Sequence, residues 1–319
     1  MIDLLYKIIE IIALYLFIMS LALFYQWIDR KVVARFQNRM GPTYVGPIGL
    51  LQPLYDFLKL LLKEDITPKS VNKTLFTLTP LIAVITILTA TILLPLSSKP
   101  IVSFEGDIIL AIVFLSLYAI IVFLMGTGSQ NRFAILGSER TLIQLIGYEI
   151  PLTLSIISVV IWTGQTSILG IVEYQKDLPL IFSPLVIAFI IYILTSQAEL
   201  ERQPFDIPEA EQEIVAGWHV EYTGRKFALI LLSHDIEMVY LSMLGATLFL
   251  GGFQGPMIPG LELILGIVYL VIKSIIILLL LSMIKASLAR VRIDQMLTFS
   301  WKYLIPLALL QVLIIGVIK

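Results

Sequence analysis

The 319-residue chain has no cysteine, which excludes disulfides, iron–sulfur ligation and covalent thiol chemistry within it. Its two histidines, His219 and His234, are too few for a convincing metal centre, although carboxylates can still bind an ion. Charge is scarce too: 14% of residues are Asp, Glu, Lys or Arg, against about a quarter in soluble domains. The glycine motifs Gly126-Thr127-Gly128 and Gly251-Gly252 lack the strand–turn–helix setting of a nucleotide site and read as turns or close-packing positions. There is no Walker motif, catalytic triad or dinucleotide fingerprint, which speaks against a self-sufficient ATPase or dehydrogenase. The absence of a convincing internal repeat argues against an ordinary carrier built from inverted halves.

What the chain has is hydrocarbon. Hydrophobic residues make up 58% of it and the mean hydropathy is +0.96, so an all-α polytopic membrane protein is expected. Stretches able to cross about 30 Å of hydrocarbon fall at 5–27, 76–96, 108–126, 141–163, 180–198, 227–250, 263–284 and 302–318. The first is too long for a signal-peptide core and has no small-residue cleavage site, so it reads as a retained span. Residues 1–319 then form one membrane domain, with long polar connections at 28–75 and 197–226.

Lys and Arg gather in the first connection and in those after the third, fifth and seventh spans, while the other side has only Lys7, Lys99, Lys176 and Lys319. By the positive-inside rule the former face the cytoplasm and both termini lie outside a cell membrane. Within the first connection, Ile48 to Lys63 is apolar but short, with Gln52, Asp56, Lys59 and Lys63 along one side. It is expected to lie in the membrane interface as an amphipathic helix, after the sharp turn Gly41-Pro42-Thr43-Tyr44-Val45-Gly46-Pro47. Such a helix either forms the wall of a cavity opening toward lipid or simply seals the bundle.

The second connection is the more unusual. Glu199, Glu201, Asp206, Glu209, Glu211, Glu213 and Glu221 lie in it, offset only by Arg202, Arg225 and Lys226. A carboxylate cluster flanked by hydrocarbon wants protons, cations or a basic partner. A plainer account makes Asp206 the cap of a helix, with Pro208 in its first turn and Glu209 completing a capping box. That account covers two of the seven acids, and Glu209 and Glu213 would repel one another on such a helix.

Ionisable groups also fall inside the predicted spans, where each is costly and points to function: Glu149 in the fourth, His234, Asp235 and Glu237 in the sixth, and Lys273 in the seventh. If these spans are neighbours, Glu149, Asp235, Glu237 and Lys273 would continue the acid cluster inward as a proton relay. The alternative is that Lys273 pairs with one buried acid simply to neutralise both.

The acid loop, ERQPFDIPEAEQEIVAGWHVEYTGRKFAL at 201–229, resembles the signature of the H subunit of NADH:quinone oxidoreductase, complex I, known in mitochondria as subunit 1. RMGPTYVGPIGLLQPLYDFLKLLLKED at 39–65, AILGSERTLIQLIGYEIPL at 134–152 and ARVRIDQMLTFSWKYLIPLAL at 289–309 resemble other segments of that family, in its order, so the likeness covers essentially the whole chain. It implies a heel subunit with eight spans and a surface helix, on which a peripheral redox arm docks and from which a membrane arm extends. By motif, Arg39, Gln52, Asp56, Arg202 and Arg292 would belong to a chamber for a quinone-like acceptor or its entrance. Glu149 would be the channel acid of the fourth span, and Glu199, Asp206, Glu209, Glu211, Glu213 and Glu221 the loop acids; Glu201, Asp235, Glu237 and Lys273 are added to that route from their own positions in the loop and spans.

The implied partners are an iron–sulfur small subunit, a hydrogenase-like large subunit, the ion-pumping subunits of the membrane arm and the bilayer, with no role for nucleic acid. Iron–sulfur clusters are expected only in those partners, and no catalytic centre in this chain. The same subunit recurs in membrane-bound hydrogenases and sulfane reductases. The sequence departs from ordinary complex I members in the sixth span, where Ser233-His234-Asp235-Ile236-Glu237 stands in place of Ala-Glu-Tyr-x-Asn. Two other classes compete with a coupling subunit: an independent cation-coupled carrier, and a scaffold whose charges only dock the redox arm.

Overall fold

The computed structural model describes residues 2–319 except Lys99, Asp177 and Met257; the side chains of residues 2–5 and of Glu211 lie outside the described set. Lys99, used above for orientation, is therefore not described. The described residues form helices and turns with no strand. In chain order they are α1 (Ile2–Phe36), α2 (Gln52–Leu62), α3 (Lys73–Thr91), α4 (Asp107–Gly128), α5 (Arg132–Thr163), α6 (Ile168–Tyr174), α7 (Val186–Glu199), α8 (Glu211–Ile214), α9 (Gly224–Phe249), α10 (Glu262–Ser287), α11 (Ile293–Phe299) and α12 (Ile305–Ile318).

Seven helical segments among the described residues are long and apolar enough to cross a membrane, the last joining α11 to α12 through a π turn at Ser300–Leu304, and α7 is a shorter apolar helix. The chain is a multi-pass membrane protein. Long apolar side chains such as Leu16, Ile85, Ile109, Ile146 and Leu313 face outward, as lipid contact requires. At the centre stands α9, buried along nearly its whole length and packed by α3, α10, α1 and α2. Its Gly245 permits that crowding: a Cβ there would meet a ring carbon of Tyr192 at 2.6 Å and Ile277 at 2.9 Å.

Several boundaries differ from the hydropathy reading, each for a local reason. Helix α1 runs on to Phe36 through Asp29, Arg30 and Lys31, because no breaker arrives before Gly41-Pro42 and Asp29 is neutralised inside the bundle. Helix α5 begins at Arg132, capped by the Asn131 side chain, which accepts from the Phe133 amide at 2.9 Å. Its polar first turns extend beyond the hydrocarbon reading. Helix α7 is short because Pro184 keeps Ser183 extended, at φ −93° and ψ 177°. The chain before it folds back on Gln175, 2% exposed, whose amide donates to the Thr247 carbonyl at 2.9 Å and accepts from the Leu180 amide at 3.2 Å. In the first connection the interface helix is α2, shorter than 48–63 and preceded by a 3-10 turn at Pro47–Gly49.

No helix starts at Asp206. Arg290 holds that residue, Nε to the carboxylate at 3.0 Å and a guanidinium nitrogen donating to its carbonyl at 2.5 Å. Only the single turn of α8 forms, behind Ala210, so the capping-box account of Asp206 and Glu209 does not hold.

One ion cluster ties the helices together at the end of the bundle that carries the acid loop. The Asp29 carboxylate, 3% exposed, accepts from Ser282 at 2.7 Å and Lys285 at 2.8 Å, both on α10, and from both terminal nitrogens of Arg202 at 3.3 Å. Removing it strands a buried guanidinium, and breaking a buried pair costs about 3–5 kcal/mol. The D29A variant is therefore expected to unfold at clearly lower temperature in detergent than the parent, with D29E recovering part of the loss, as read by a thermal melt.

Candidate functional site

The acid loop does not stay at the surface. Glu199 ends α7, and Glu201 follows in a backbone conformation with φ +48°, which closes the helix by returning its amide to the Ala198 carbonyl at 3.0 Å. Left-handed positions after a helix usually go to glycine or asparagine, so a glutamate is kept here at some conformational cost. Its carboxylate turns inward and accepts from the Trp218 indole at 2.9 Å. The Trp218 turn can lie that close because Gly137 on α5 has no side chain: a Cβ there would meet the Trp218 amide nitrogen at 2.6 Å.

Around these two acids lies a small cavity, also lined by Tyr118, Gln144, His234 and Glu237. Glu237 is 1% exposed and neither carboxylate oxygen has a hydrogen-bond partner among the described residues. The Gln144 amide donates to the carbonyls of Ala198 at 2.6 Å and Phe205 at 3.0 Å, which leaves its oxygen unpartnered among the described residues. Tyr118 and Ser233 share a hydrogen bond at 3.2 Å. Glu199 also interacts electrostatically with Glu149 on α5, whose carboxylate takes a bond from Ser116, halfway along α4. Unpartnered buried oxygens beside a cavity need water or a proton to be tolerable, and carboxyls that share such water can exchange protons through it.

A second small cavity lies on the other side of α9, lined by Gln26, Arg30, Asp56 and Asp235 among apolar residues of α1, α2 and α9. Arg30 spans the boundary to an open groove of about 1090 Å³ formed by Arg39, Met40, Gly41, Pro42, Thr43, Tyr44 and Gln52. The Asp56 carboxylate receives Arg30 at 2.6 Å and Gln52 at 2.9 Å. Burial works upward on Asp56, but those two bonds and the Arg30 and Lys59 charges outweigh it and hold the carboxyl below its usual range. Burial pushes Glu201 up to about 7, against the pull of its bonds with Trp218 and Thr141. It holds His219 down to about 4, so at neutral pH the 3.5 Å approach of that ring to Glu209 joins an uncharged imidazole to a carboxylate.

Of the residues singled out from sequence, the structure brings Glu149, Glu199, Glu201 and Glu237 into one inward file, and sets Asp235, Asp56, Gln52 and Arg39 along a neighbouring path. Others stand apart. Lys273 donates to the Gln254 carbonyl at 2.7 Å, beyond the far end of α9, and pairs with no acid among the described residues. It thus sits about 25 Å along α9 from Asp235, at 1.5 Å per residue, because α10 runs antiparallel to α9. Arg292 lines a separate cavity with Arg140, Glu213 and Arg290, away from the Arg39 groove. Glu213 pairs with Arg140 at 2.5 Å, and Glu221 accepts from Asn131 at 2.5 Å. Arg202 is the partner of Asp29. The Glu211 side chain is outside the described set.

Sequence reasoning missed Asp29, Tyr118 and Ser116, and left His234 out of the relay. The available signal for Asp29 was the unbroken helical run on either side of it; hydroxyls in an apolar helix carry no comparable mark.

The model of the family described as NADH dehydrogenase matches residues 9–316. The chain is 38% identical over 308 residues to the H subunit of the NADH-quinone oxidoreductase of Dehalococcoides mccartyi (strain CBDB1), across 96% of this chain and 85% of that protein. It is 39% identical over 293 residues to the corresponding protein of Brevibacillus brevis, across 92% and 87%. With that of Protochlamydia amoebophila it shares 40% over 304 residues, across 92% and 91%. Match and identity run the length of the helical bundle, and the chain belongs to the family of NADH-quinone oxidoreductase H subunits, membrane components of complex I.

Proposed function

We propose that this chain couples electron transfer in an attached redox arm to proton or sodium translocation, through the file Glu201, Glu199, Glu237 and Glu149. The observation that carries the reading is the depth of that file: it starts in the acid loop and ends on residues at the middle of α5 and α9, beside a cavity with unpartnered buried oxygens. A scaffold would need its acids at the surface. An independent carrier gains no support from pseudo-symmetric halves in the sequence. The Lys and Arg distribution supports a cytoplasmic acid loop with both termini outside the cell membrane.

The chain supplies docking surface and electrostatics, not redox chemistry. Without cysteine, iron–sulfur clusters belong to partner subunits, here an iron–sulfur small subunit and a hydrogenase-like large subunit, with ion-pumping subunits along the membrane arm. The Arg39 groove suits a quinone-type acceptor: Arg39, Tyr44 and Gln52 offer polar contacts for ring oxygens, beside the apolar Met40 and Pro42. A quinone-type acceptor would enter through this groove on its way to the attached redox arm. This chain's part is to orient the ring and, through Arg30, Asp56 and Asp235, to link its charge to α9.

In the assembled complex, E199Q and E149Q should keep electron transfer while ions moved per electron fall severalfold, measured as dye quenching against NADH oxidation in membrane vesicles; unchanged ratios in both would favour the scaffold. Replacing Arg39 with Ala should raise KM for a short-chain quinone severalfold and leave kcat nearly unaltered, since the groove is entrance rather than reaction centre. A third expectation concerns pH. Glu201 holds its proton below about 7 and releases it above, and Gln mimics the held form at every pH. Coupled turnover should therefore bend near pH 7 in the parent, whereas E201Q should stay at the parent's low-pH level throughout.

A further inference from the structure

Helix α9 is the wall between the two cavities, and residues 234, 235 and 237 are placed on it differently. His234 and Glu237, three residues apart, share the face that lines the acid cavity, while Asp235 is turned about 100° away and lines the cavity of Arg30 and Asp56. The Glu237 carboxyl has no hydrogen-bond partner among the described residues, and the nearest basic atom is the His234 Nδ1, 3.6 Å from Oε2. The backbone of Leu200 hydrogen-bonds the same ring. With Nδ1 turned to Glu237, Nε2 is the nitrogen left to donate to that carbonyl, which keeps Nδ1 free to accept.

We propose that His234 and Glu237 share one proton as a unit, and that His234 is thereby a proton-carrying residue of the file; this rests on the coupling reading above. The step is a transfer from Glu237 Oε2 to His234 Nδ1. The O–H bond breaks, the N–H bond forms, Nε2 keeps its proton toward Leu200, and no electrons change hands. Both states carry the same net charge, so the exchange adds no uncompensated charge to a low-dielectric site.

The surroundings bear on each half separately. His234 is faced by Arg202 after α7, Lys285 on α10 and His219 in the loop. Glu237 is faced by Glu199, Glu201 and Arg202, and by Tyr118 on α4. Arg202 faces both groups and is itself held by Asp29 on α1, so its charge acts on the pair as a whole rather than on one member of it.

The test uses the assembled complex in membrane vesicles, with NADH and a short-chain quinone as substrates and E199Q as reference. H234Q and E237Q should each lower ions moved per electron roughly tenfold or more, and the double variant should fall no further than the singles, as for groups acting as a unit. If E199Q and E237Q uncouple but H234Q pumps like the parent, or if the two losses add in the double variant, the proton-sharing pair is wrong while the coupling reading stands. If E199Q, E237Q and H234Q all pump normally, the coupling reading falls and takes the pair with it. A readout independent of turnover is the ¹⁵N signal of the two ring-labelled histidines in the complex. E237Q should shift the signal lost in H234Q and leave that of His219 in place; an unmoved His234 signal would overturn the pair, whereas a purely structural role predicts no such selective shift.

Discussion

A charge held between helices in hydrocarbon must meet an opposite charge or give up its ionisation, and both answers are present in this chain. The Asp29 cluster takes the first: one carboxylate collects a guanidinium, an ammonium and a hydroxyl, and the helices that supply them are fixed by the exchange. Glu237 takes the second, since its oxygens find no donor among the described residues. Arg202, itself buried, pairs with Asp29 and also acts electrostatically on Glu237. The static clamp thus sets the position of the cation that the labile acids sense.

This arrangement explains why the acid loop folds as it does. Glu201, Trp218 and Gly137 form one packing unit, and the chain between them is pinned at Asp206 by Arg290, at Glu213 by Arg140 and at Phe205 by Gln144. Two of these anchors come from α5 and the third from the connection after α10, so the loop is a tertiary product with almost no regular structure of its own. Its outer acids serve as ties to the scaffold, and its inner ones face the cavity.

Much of the fold was legible from hydropathy alone, because a run of apolar residues in a bilayer has few alternatives to a helix. Each of the eight expected spans has its helix, although α7 falls short of the predicted length. The interface helix was marked by the spacing of Gln52, Asp56 and Lys59. What stayed hidden depended on contacts far apart in sequence. Asp29 looked like the start of a loop, since nothing nearby announces Arg202 or Lys285. Asp206 looked like a helix cap until Arg290 claimed it. Lys273 looked like a neighbour of the buried acids because depth within one span says nothing about which end of the next span it meets. In the candidate site, the family likeness pointed to Glu149 and the loop acids, but it could not separate those that turn inward from Glu213 and Glu221, which bind the scaffold.

The abbreviated α7 has a consequence for the hydrogen bonding of the bundle. Fourteen helical residues reach about 21 Å, against a hydrocarbon depth of about 30 Å, and the segment ahead of them is tucked in under Gln175 with its amides satisfied. The remainder of that reach falls to the non-helical segment ahead of α7, whose amides depend on the Gln175 side chain and on local turns, where a longer helix would have used its own ladder.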